Sequence, residues 1–379
     1  MSDSTVITAV AHGISTPKKF KVVIFSPALD AVSGVSTHVN MLLGSSLAKQ
    51  FELIHFQVGS EGRAEGGVQR LARFVFSPLQ LAVFLLRTRP RIVHINTSMN
   101  HKAFWRDLSY LVVARLFGRR VVNQFHSGSA PQSLFSNSLL SSLLKRFLLA
   151  SHAVTVLSSE AQRAHKAFDN RIAVELVPNA IDTTGLLDEA RTQRMDRAPL
   201  KLVYVGRIVR SKGLFDSLEA LKQLKDEGLQ FHLQVAGSGP DEGAARALID
   251  SLGLANEVTM LGPVFGEAKR KLWLESDIQV FPTYHNEGLP YSILESMAAG
   301  CVPITCSVAA IPDVMQDGVH GVFVPAHEPA AVAAAIRNLA ADSGALFRMS
   351  QAGRQRIAEQ YTVDRLAARF AAIYMRLGR

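Results

Sequence analysis

Short apolar runs alternate with longer amphipathic ones along nearly the whole chain. The short runs fall at residues 21–25, 53–56, 92–95, 121–124, 154–157 and 174–177. A second series follows at 202–205, 232–236, 258–261, 278–281, 302–305 and 322–324. The segments between them have helical spacing. Leu214, Leu218, Leu221 and Leu224, for instance, recur every three or four residues and stop before Gly228. Short apolar strands alternating with helices predict parallel, doubly wound α/β sheets. There are two such series, so two Rossmann-like domains are expected, facing each other across a cleft. The polar stretch 183–199, rich in Arg, Asp, Thr and Gln, reads as the connection between them, with a boundary near residue 190. The expected organisation is a loose polar tail at 1–20, a first domain at 21–190, a second at 191–360 and a final helix within 361–379.

The length of 379 residues suits two ordinary domains, and 48% hydrophobic with 19% charged residues describes a globular chain. Charge changes the picture. Residues 1–185 hold 20 lysines and arginines against 10 acids, whereas residues 186–379 hold 21 against 22. The excess of the +9 net charge therefore belongs to the first half, which implies an anionic partner there. Cys301 and Cys306 are the only cysteines, which excludes a disulfide framework and points to a reducing compartment. Both read as small core residues. The longest candidate for a membrane segment, 74–86, contains Ser77, Pro78 and Gln80 and reads as too short to span a bilayer. No apolar leader core precedes residue 20, so a cytoplasmic protein is expected. Residues 138–149 have a broad apolar face and a small basic one at Lys145 and Arg146. Arg106, Arg115, Arg119 and Arg120 lie on or after another apolar helix. Either could touch anionic lipid, or Leu139, Leu143 and Phe147 could be core residues.

The densest chemistry lies between two glutamates, Glu287-Gly-Leu-Pro-Tyr-Ser-Ile-Leu-Glu295, after the run 278–281 and opening a helix that ends at Gly300. A loop closing on a helix N-terminus offers backbone N–H groups and a positive dipole end to an anion. Gly288 allows close approach of backbone to ligand, and Pro290 suits a first helical turn. One carboxylate before the turn and one after it suits a ligand with hydroxyls on both sides of a diphosphate, such as a nucleotide-sugar.

This segment resembles the E-x7-E signature of the retaining family 4 glycosyltransferases, of bacterial polysaccharide-assembly type. The resemblance implies the GT-B fold, with a final helix packing back on the first domain. Other motifs support it. Gly206-Arg207 and Lys212-Gly213 follow a strand and resemble the donor-phosphate site, with Arg207 and Lys212 as stabilisers of the leaving diphosphate. Gly237-Ser-Gly239 resembles the loop beside the nucleotide, and Val264 the segment that meets the base. The spacing is not a full G-x-G-x-x-G, so no nicotinamide enzyme is indicated. Ser33-Gly34 resembles the family's glycine pair facing the donor phosphate, but with serine at the first position. His126, after the run 121–124, stands where the family often has a histidine near the donor sugar. His94-Ile-Asn96-Thr-Ser98 suggests acceptor-side polar groups at Asn96 and Ser98. Asn179-Ala-Ile-Asp182 resembles a turn that closes the first domain.

The resemblance implies a retaining, metal-independent transferase with no cofactor. Glu287, Gly288, Leu289, Pro290 and Tyr291 would hold the sugar and phosphate, and Glu295 the ribose. No Asp-x-Asp cluster suggests a metal-dependent alternative. The acceptor would be a saccharide, plausibly linked to polyprenyl diphosphate at the cytoplasmic face of an inner membrane reached through the basic first domain. Two other readings stay open. A sugar-nucleotide epimerase or phosphorylase uses the same architecture, and the chain's pI of about 9.7 would suit a nucleic-acid binder, although no recognition motif for nucleic acid is present. The motifs do not encode the donor base, the sugar or the oligomeric state.

Overall fold

The computed structural model describes residues 19–59, 66–128, 130–188, 199–285 and 288–379. Two six-stranded sheets carry the fold. The first is built of β1 (Lys21–Ser26), β2 (Glu52–Gln57), β3 (Ile92–Thr97), β4 (Arg120–Phe125), β5 (Ala153–Val156) and β6 (Val174–Leu176). Its order is β2-β1-β3-β4-β5-β6. The second is built of β7 (Leu200–Val205), β8 (Phe231–Ala236), β9 (Val258–Gly262), β10 (Ile278–Phe281), β11 (Val302–Thr305) and β12 (Val322–Phe323). Its order is β12-β11-β10-β7-β8-β9. Every paired strand is parallel. Helices cover both faces, so central strands such as β3, β10 and β11 are buried throughout, which is why apolar residues stand on both faces of each.

Strand order reverses between β1 and β3 in the first sheet and between β7 and β10 in the second. Loops leaving the carboxyl ends at such a switch point diverge and open a crevice, where sheets of this kind bind ligands. Both sequence motifs that end on cations or glutamates, 206–213 and 288–295, leave the second sheet at its switch point.

The last helix, Val363–Gly378, belongs to the core of the first domain. Leu366, Phe370 and Tyr374 pack with Val22, Ile24 and Val39. Several bonds stitch the domains together. Ser159 donates from its backbone N–H and its hydroxyl to the Asp313 carboxylate, both at 2.5 Å. The Asn179 amide donates to the Leu289 carbonyl at 2.9 Å. Buried Arg354 donates to the carbonyls of Leu186, Leu187 and Ala298 at 2.8–3.1 Å, fastening the chain as it approaches the connection. The expected boundary near 190 falls outside the described residues.

Two local expectations change and one open alternative resolves. Residues 74–86 lie within one 22-residue helix, Gly67–Thr88, that carries Pro78 in its interior. By length and composition it is long and apolar enough to cross a membrane, so the expectation that this segment is too short is overturned. Ser77 and Gln80 do not interrupt it because both are compatible with helix and Ser77 donates to the Phe74 carbonyl at 3.4 Å. In the helix Ser138–Ala150, Leu144, Phe147 and Leu148 are buried and only Leu139 is strongly exposed, so its apolar face is mainly core. Pro290 stands just before the helix Tyr291–Ala299 rather than in its first turn. Cys301 and Cys306 are both buried in the core of the second domain.

Candidate donor and acceptor site

The residues expected on the donor side gather at the β7/β10 switch point. β7 runs into Gly206 and Arg207, and a short turn carries Lys212 to Gly213. Gly213 has φ +80°, and a side chain there would collide with the backbone of Pro282, 2.3 Å away. This close approach pulls the cationic loop against the β10 exit. The Lys212 ammonium lies 5.6 Å from the centre of the Phe281 ring. Burial, with the Arg207 charge beside it, lowers the Lys212 pKa to about 8. His285, which shares a hydrogen with the Ser211 hydroxyl at 2.8 Å, is also held below its ordinary value, by burial and then by the Lys212 and Arg207 charges. The three groups thus share one positive field at the mouth of the switch point, which an anion would relieve.

The neighbouring loops fit around it. A methyl group on Gly237 would lie 1.9 Å from the Gly206 carbonyl oxygen, and one on Gly239 would lie 2.1 Å from that of Ile208. These two glycines are therefore required by backbone-to-backbone packing of the β7 and β8 exits. Val264 is half-buried and the adjacent Phe265 is 61% exposed, at the foot of the helix Gly266–Glu275.

The helix Tyr291–Ala299 points its N-terminus into the cleft, and no side chain among the described residues caps it. Its first N–H groups are thus available to an anion. Glu295 lies one turn further on. Its carboxylate accepts from the Lys269 ammonium at 2.7 Å and from the Trp273 indole N–H at 3.1 Å. Neither partner is signalled by the motif spacing. The Tyr291 hydroxyl is buried with no hydrogen-bond partner among the described residues, and burial followed by the Glu295 charge pushes its pKa up. Glu287, expected at the sugar, lies outside the described residues.

The first domain meets this surface with its own switch-point loops. Ser33 caps the helix Gly34–Gly44, its hydroxyl accepting from the Ser36 N–H at 3.2 Å. Its φ of −145° is ordinary extended backbone. The serine thus departs from the glycine pattern without conformational cost. A methyl on Gly34 would stand 3.5 Å from the Tyr291 ring. One on Gly288 would stand 2.5 Å from the His126 carbonyl oxygen and 2.4 Å from Leu157 Cδ1. Gly34, His126, Gly288 and Tyr291 therefore come together across the cleft.

Behind His126 lies a buried polar stack. The Asn96 amide donates to the Phe25 carbonyl at 2.9 Å, which leaves its oxygen facing His126 Nε2 at 2.8 Å. The Nε2–H therefore donates, and Nδ1 is the unprotonated acceptor. His38 packs edge-on against His126 with ring centres 4.9 Å apart. His94 Nδ1 shares a hydrogen with the Tyr374 hydroxyl at 2.6 Å. Burial lowers His38 to about 4 and His94 to about 3, and it holds His126 well below its ordinary value, so all three are neutral near pH 7. His126 can accept one hydrogen bond at Nδ1 but is a poor proton reservoir. Asn96, expected on the acceptor side, spends its amide on holding His126 and is 3% exposed, and His94 is fully buried.

At the β1/β3 switch point a cavity of about 970 Å³ opens beside this stack. Pro27, Asn96, Thr97 and Ser98 form its floor, with Lys102 and Arg106 on its rim. Thr97 donates to the buried carboxylate of Asp107, which Arg106 grips at 2.7 and 3.1 Å. Ser98 thus lies at a ligand-sized opening. Among the described residues no group of three His, Cys, Asp or Glu side chains is arranged to hold a metal.

Two family models divide the chain between them. Residues 16–184 match the model described as Glycosyltransferase Family 4, and residues 189–356 the one described as Glycosyl transferases group 1. A relative from Salmonella typhimurium, assigned to colanic acid biosynthesis as glycosyltransferase WcaL, is 26% identical over 190 residues, covering 48% of this chain and 47% of its own. The alpha-D-kanosaminyltransferase of Streptomyces kanamyceticus is 28% identical over 184 residues, covering 48% and 47%. The chain thus spans about half the length of these curated relatives. Solved structures match over nearly everything. Sucrose-phosphate synthase from Thermosynechococcus elongatus superposes with a TM-score of 0.74 at 17% identity, covering 95% of this chain and 99% of that one. HepE from Anabaena, in complex with UDP, gives 0.72 at 15%, covering 94% and 99%. Both confirm two facing Rossmann-like domains, the GT-B fold. The chain belongs to the group 1 and family 4 glycosyltransferases.

Proposed function

We propose that the protein is a retaining glycosyltransferase. It would move a sugar from a UDP- or GDP-sugar to a saccharide carried on polyprenyl diphosphate, in assembly of a bacterial exopolysaccharide, capsule or O-antigen. The observation that carries this reading is the convergence at one switch point of Arg207, Lys212, an uncapped helix N-terminus and Glu295, facing Gly34 and His126. Cations and free N–H groups suit a diphosphate, and a carboxylate one turn beyond suits ribose hydroxyls. The UDP complex of HepE and the assignment of WcaL to colanic acid synthesis favour the same donor and pathway classes.

In this reading the acceptor hydroxyl attacks the anomeric carbon on the face from which the diphosphate leaves. The bond from that carbon to the phosphate oxygen breaks, and the departing oxygen takes the acceptor proton. No protein base is then needed, which agrees with a neutral His126 that only orients a hydroxyl. Arg207 and Lys212 neutralise the charge that develops on the leaving group, a role a metal ion fills elsewhere, so positioning and electrostatics lower the barrier. The acceptor saccharide enters at the β1/β3 cavity beside Ser98. The site of action is the cytoplasmic face of the inner membrane.

A thermal-shift panel of nucleotide diphosphates and nucleotide-sugars, with and without EDTA, tests the donor site. A ligand at a hundred times its dissociation constant adds about 2.7 kcal/mol, a visible shift. One selective, EDTA-insensitive nucleotide is expected, and no shift with any of them would sink the reading. Glu287→Ala should abolish transfer with the fold intact, and the anomeric configuration of the product by NMR decides retention.

A further inference from the structure

The helix Gly67–Thr88 is apolar on two opposite faces, and only one is covered. Leu81 and Leu85 are fully buried in the core of the first domain. On the other side Val68, Val75, Leu79 and Leu86 are 84, 60, 63 and 57% exposed. Their spacings of seven, four and seven residues put them in one narrow stripe of the helix, and exposed Phe76 and Val83 widen it. The adjacent helix His101–Leu116 extends the patch with exposed Trp105, Val112 and Leu116, also spaced seven and four apart. A helix apolar all round is ordinarily buried, and a contiguous exposed apolar surface of this extent marks an interaction site.

Charge identifies the occupant. Across both helices the sole acidic residue is Asp107, which is 1% exposed and gripped by Arg106. The cations in the same two segments include Arg73, Arg87, Lys102, Arg106 and Arg115. An apolar stripe bordered by cations, without an exposed acid, and carrying a half-exposed tryptophan fits the boundary of a bilayer that contains anionic lipid.

We propose that this apolar stripe is a lipid-docking surface, lying in the plane of an anionic bilayer at the headgroup boundary. The core contact of Leu81 and Leu85 keeps the helix from crossing. The acceptor cavity adjoins the stripe, with Phe74, Val75 and Pro78 of the same helix and Trp105 of the next forming its apolar wall. A lipid-borne phosphate would thus reach Ser98 from the bilayer without passing through water. This last step rests on the lipid-linked acceptor proposed above, whereas the docking surface does not.

The test is sedimentation of the full chain with phosphatidylcholine vesicles, with and without phosphatidylglycerol, for the wild type and for the double variant Leu79→Glu, Leu86→Glu. Wild type is expected to bind the anionic vesicles at least about tenfold more tightly than the neutral ones. Removing two inserted leucines should weaken binding about a hundredfold, roughly tenfold for each. The nucleotide thermal shift, measured on the same samples, must stay unchanged, because both positions are exposed and lie on a first-domain helix outside the donor loops. A wild type that binds no vesicles, or a double variant that binds as well as wild type, overturns the docking surface. Failure of the nucleotide shift in wild type would instead count against the donor reading. Should the variant alone lose that shift, the pair Val112→Glu, Leu116→Glu on the neighbouring helix decides between the same two outcomes.

Discussion

Lys269→Met should weaken donor binding without slowing turnover. The Lys269 ammonium lies 2.7 Å from Glu295 Oε1, and the Trp273 indole holds Oε2 at 3.1 Å. A bond to a charged group contributes about 1.5–3 kcal/mol. Lys269 is 32% exposed and Glu295 16%, so screening by solvent puts this pair at the lower end of that range. If Glu295 binds ribose hydroxyls, its orientation is needed equally in the ground and transition states. Losing Lys269 leaves one anchor of two and costs about 1.4 kcal/mol, a tenfold rise in donor KM, with kcat within about twofold. Steady-state kinetics at varied donor and saturating acceptor reads this directly. Two results would refute the reasoning. A fall in kcat at constant KM would place Glu295 at the reacting sugar. A lower KM would mean that Lys269 competes with the ribose for the carboxylate.

Gly288→Ala should cut kcat/KM by about a hundredfold, since a methyl would sit 2.5 Å from the His126 carbonyl and 2.4 Å from Leu157, and a displacement of about 1 Å at reacting groups has that effect. Turnover and thermal midpoint together check it, and wild-type turnover would mean the domains separate easily there. Nucleotide-diphosphate affinity should fall above about pH 8. Lys212 has a folded pKa lowered to about 8 from 10.5, so the unliganded site loses its ammonium above pH 8, while a bound diphosphate favours the charged form. Titration calorimetry between pH 7 and 10 should show proton uptake and a loss of about tenfold per unit. By the same linkage Lys212 adds stability as pH rises from 8 to 10.5, because the unfolded chain holds that proton longer.

The sheets were legible because their strands are buried on both faces. Residues 278–281 and 302–305 are apolar except for Gln279 and Thr305, and they form β10 and β11 within the same bounds. Motifs lying next to a strand end were also legible, since Arg207, Lys212 and Glu295 are placed by local connectivity. The partners that fix those groups were not. Lys269 is 26 residues from Glu295 in sequence, and Asn96 is 30 from His126, and no periodicity links either pair. Asn96 at a strand end reads as a ligand group, and the structure adds that its amide also bonds Phe25 and His126. The helix Gly67–Thr88 escaped because its two faces are both apolar. Periodicity detects a contrast between faces, and here Pro78 within the run suggested an end that the first domain's core overrides.

The donor loop owes its shape to both domains. The Leu289 carbonyl accepts from Asn179 of the first domain, the Gly288 carbonyl from the Ala310 N–H of the second, and Gly288 itself presses on His126. Asp313, three residues beyond Ala310, accepts twice from Ser159 across the same boundary. The loop that follows Glu287 is therefore clamped between the two domains. Separation of the two domains would break the Asn179 and Asp313 bonds and release the loop. Closure would restore the Tyr291–Gly34 contact and the packing of Gly288 on His126 together. If the proposed function holds, donor binding and assembly of the catalytic arrangement would be one movement, which would keep water from the cationic pair.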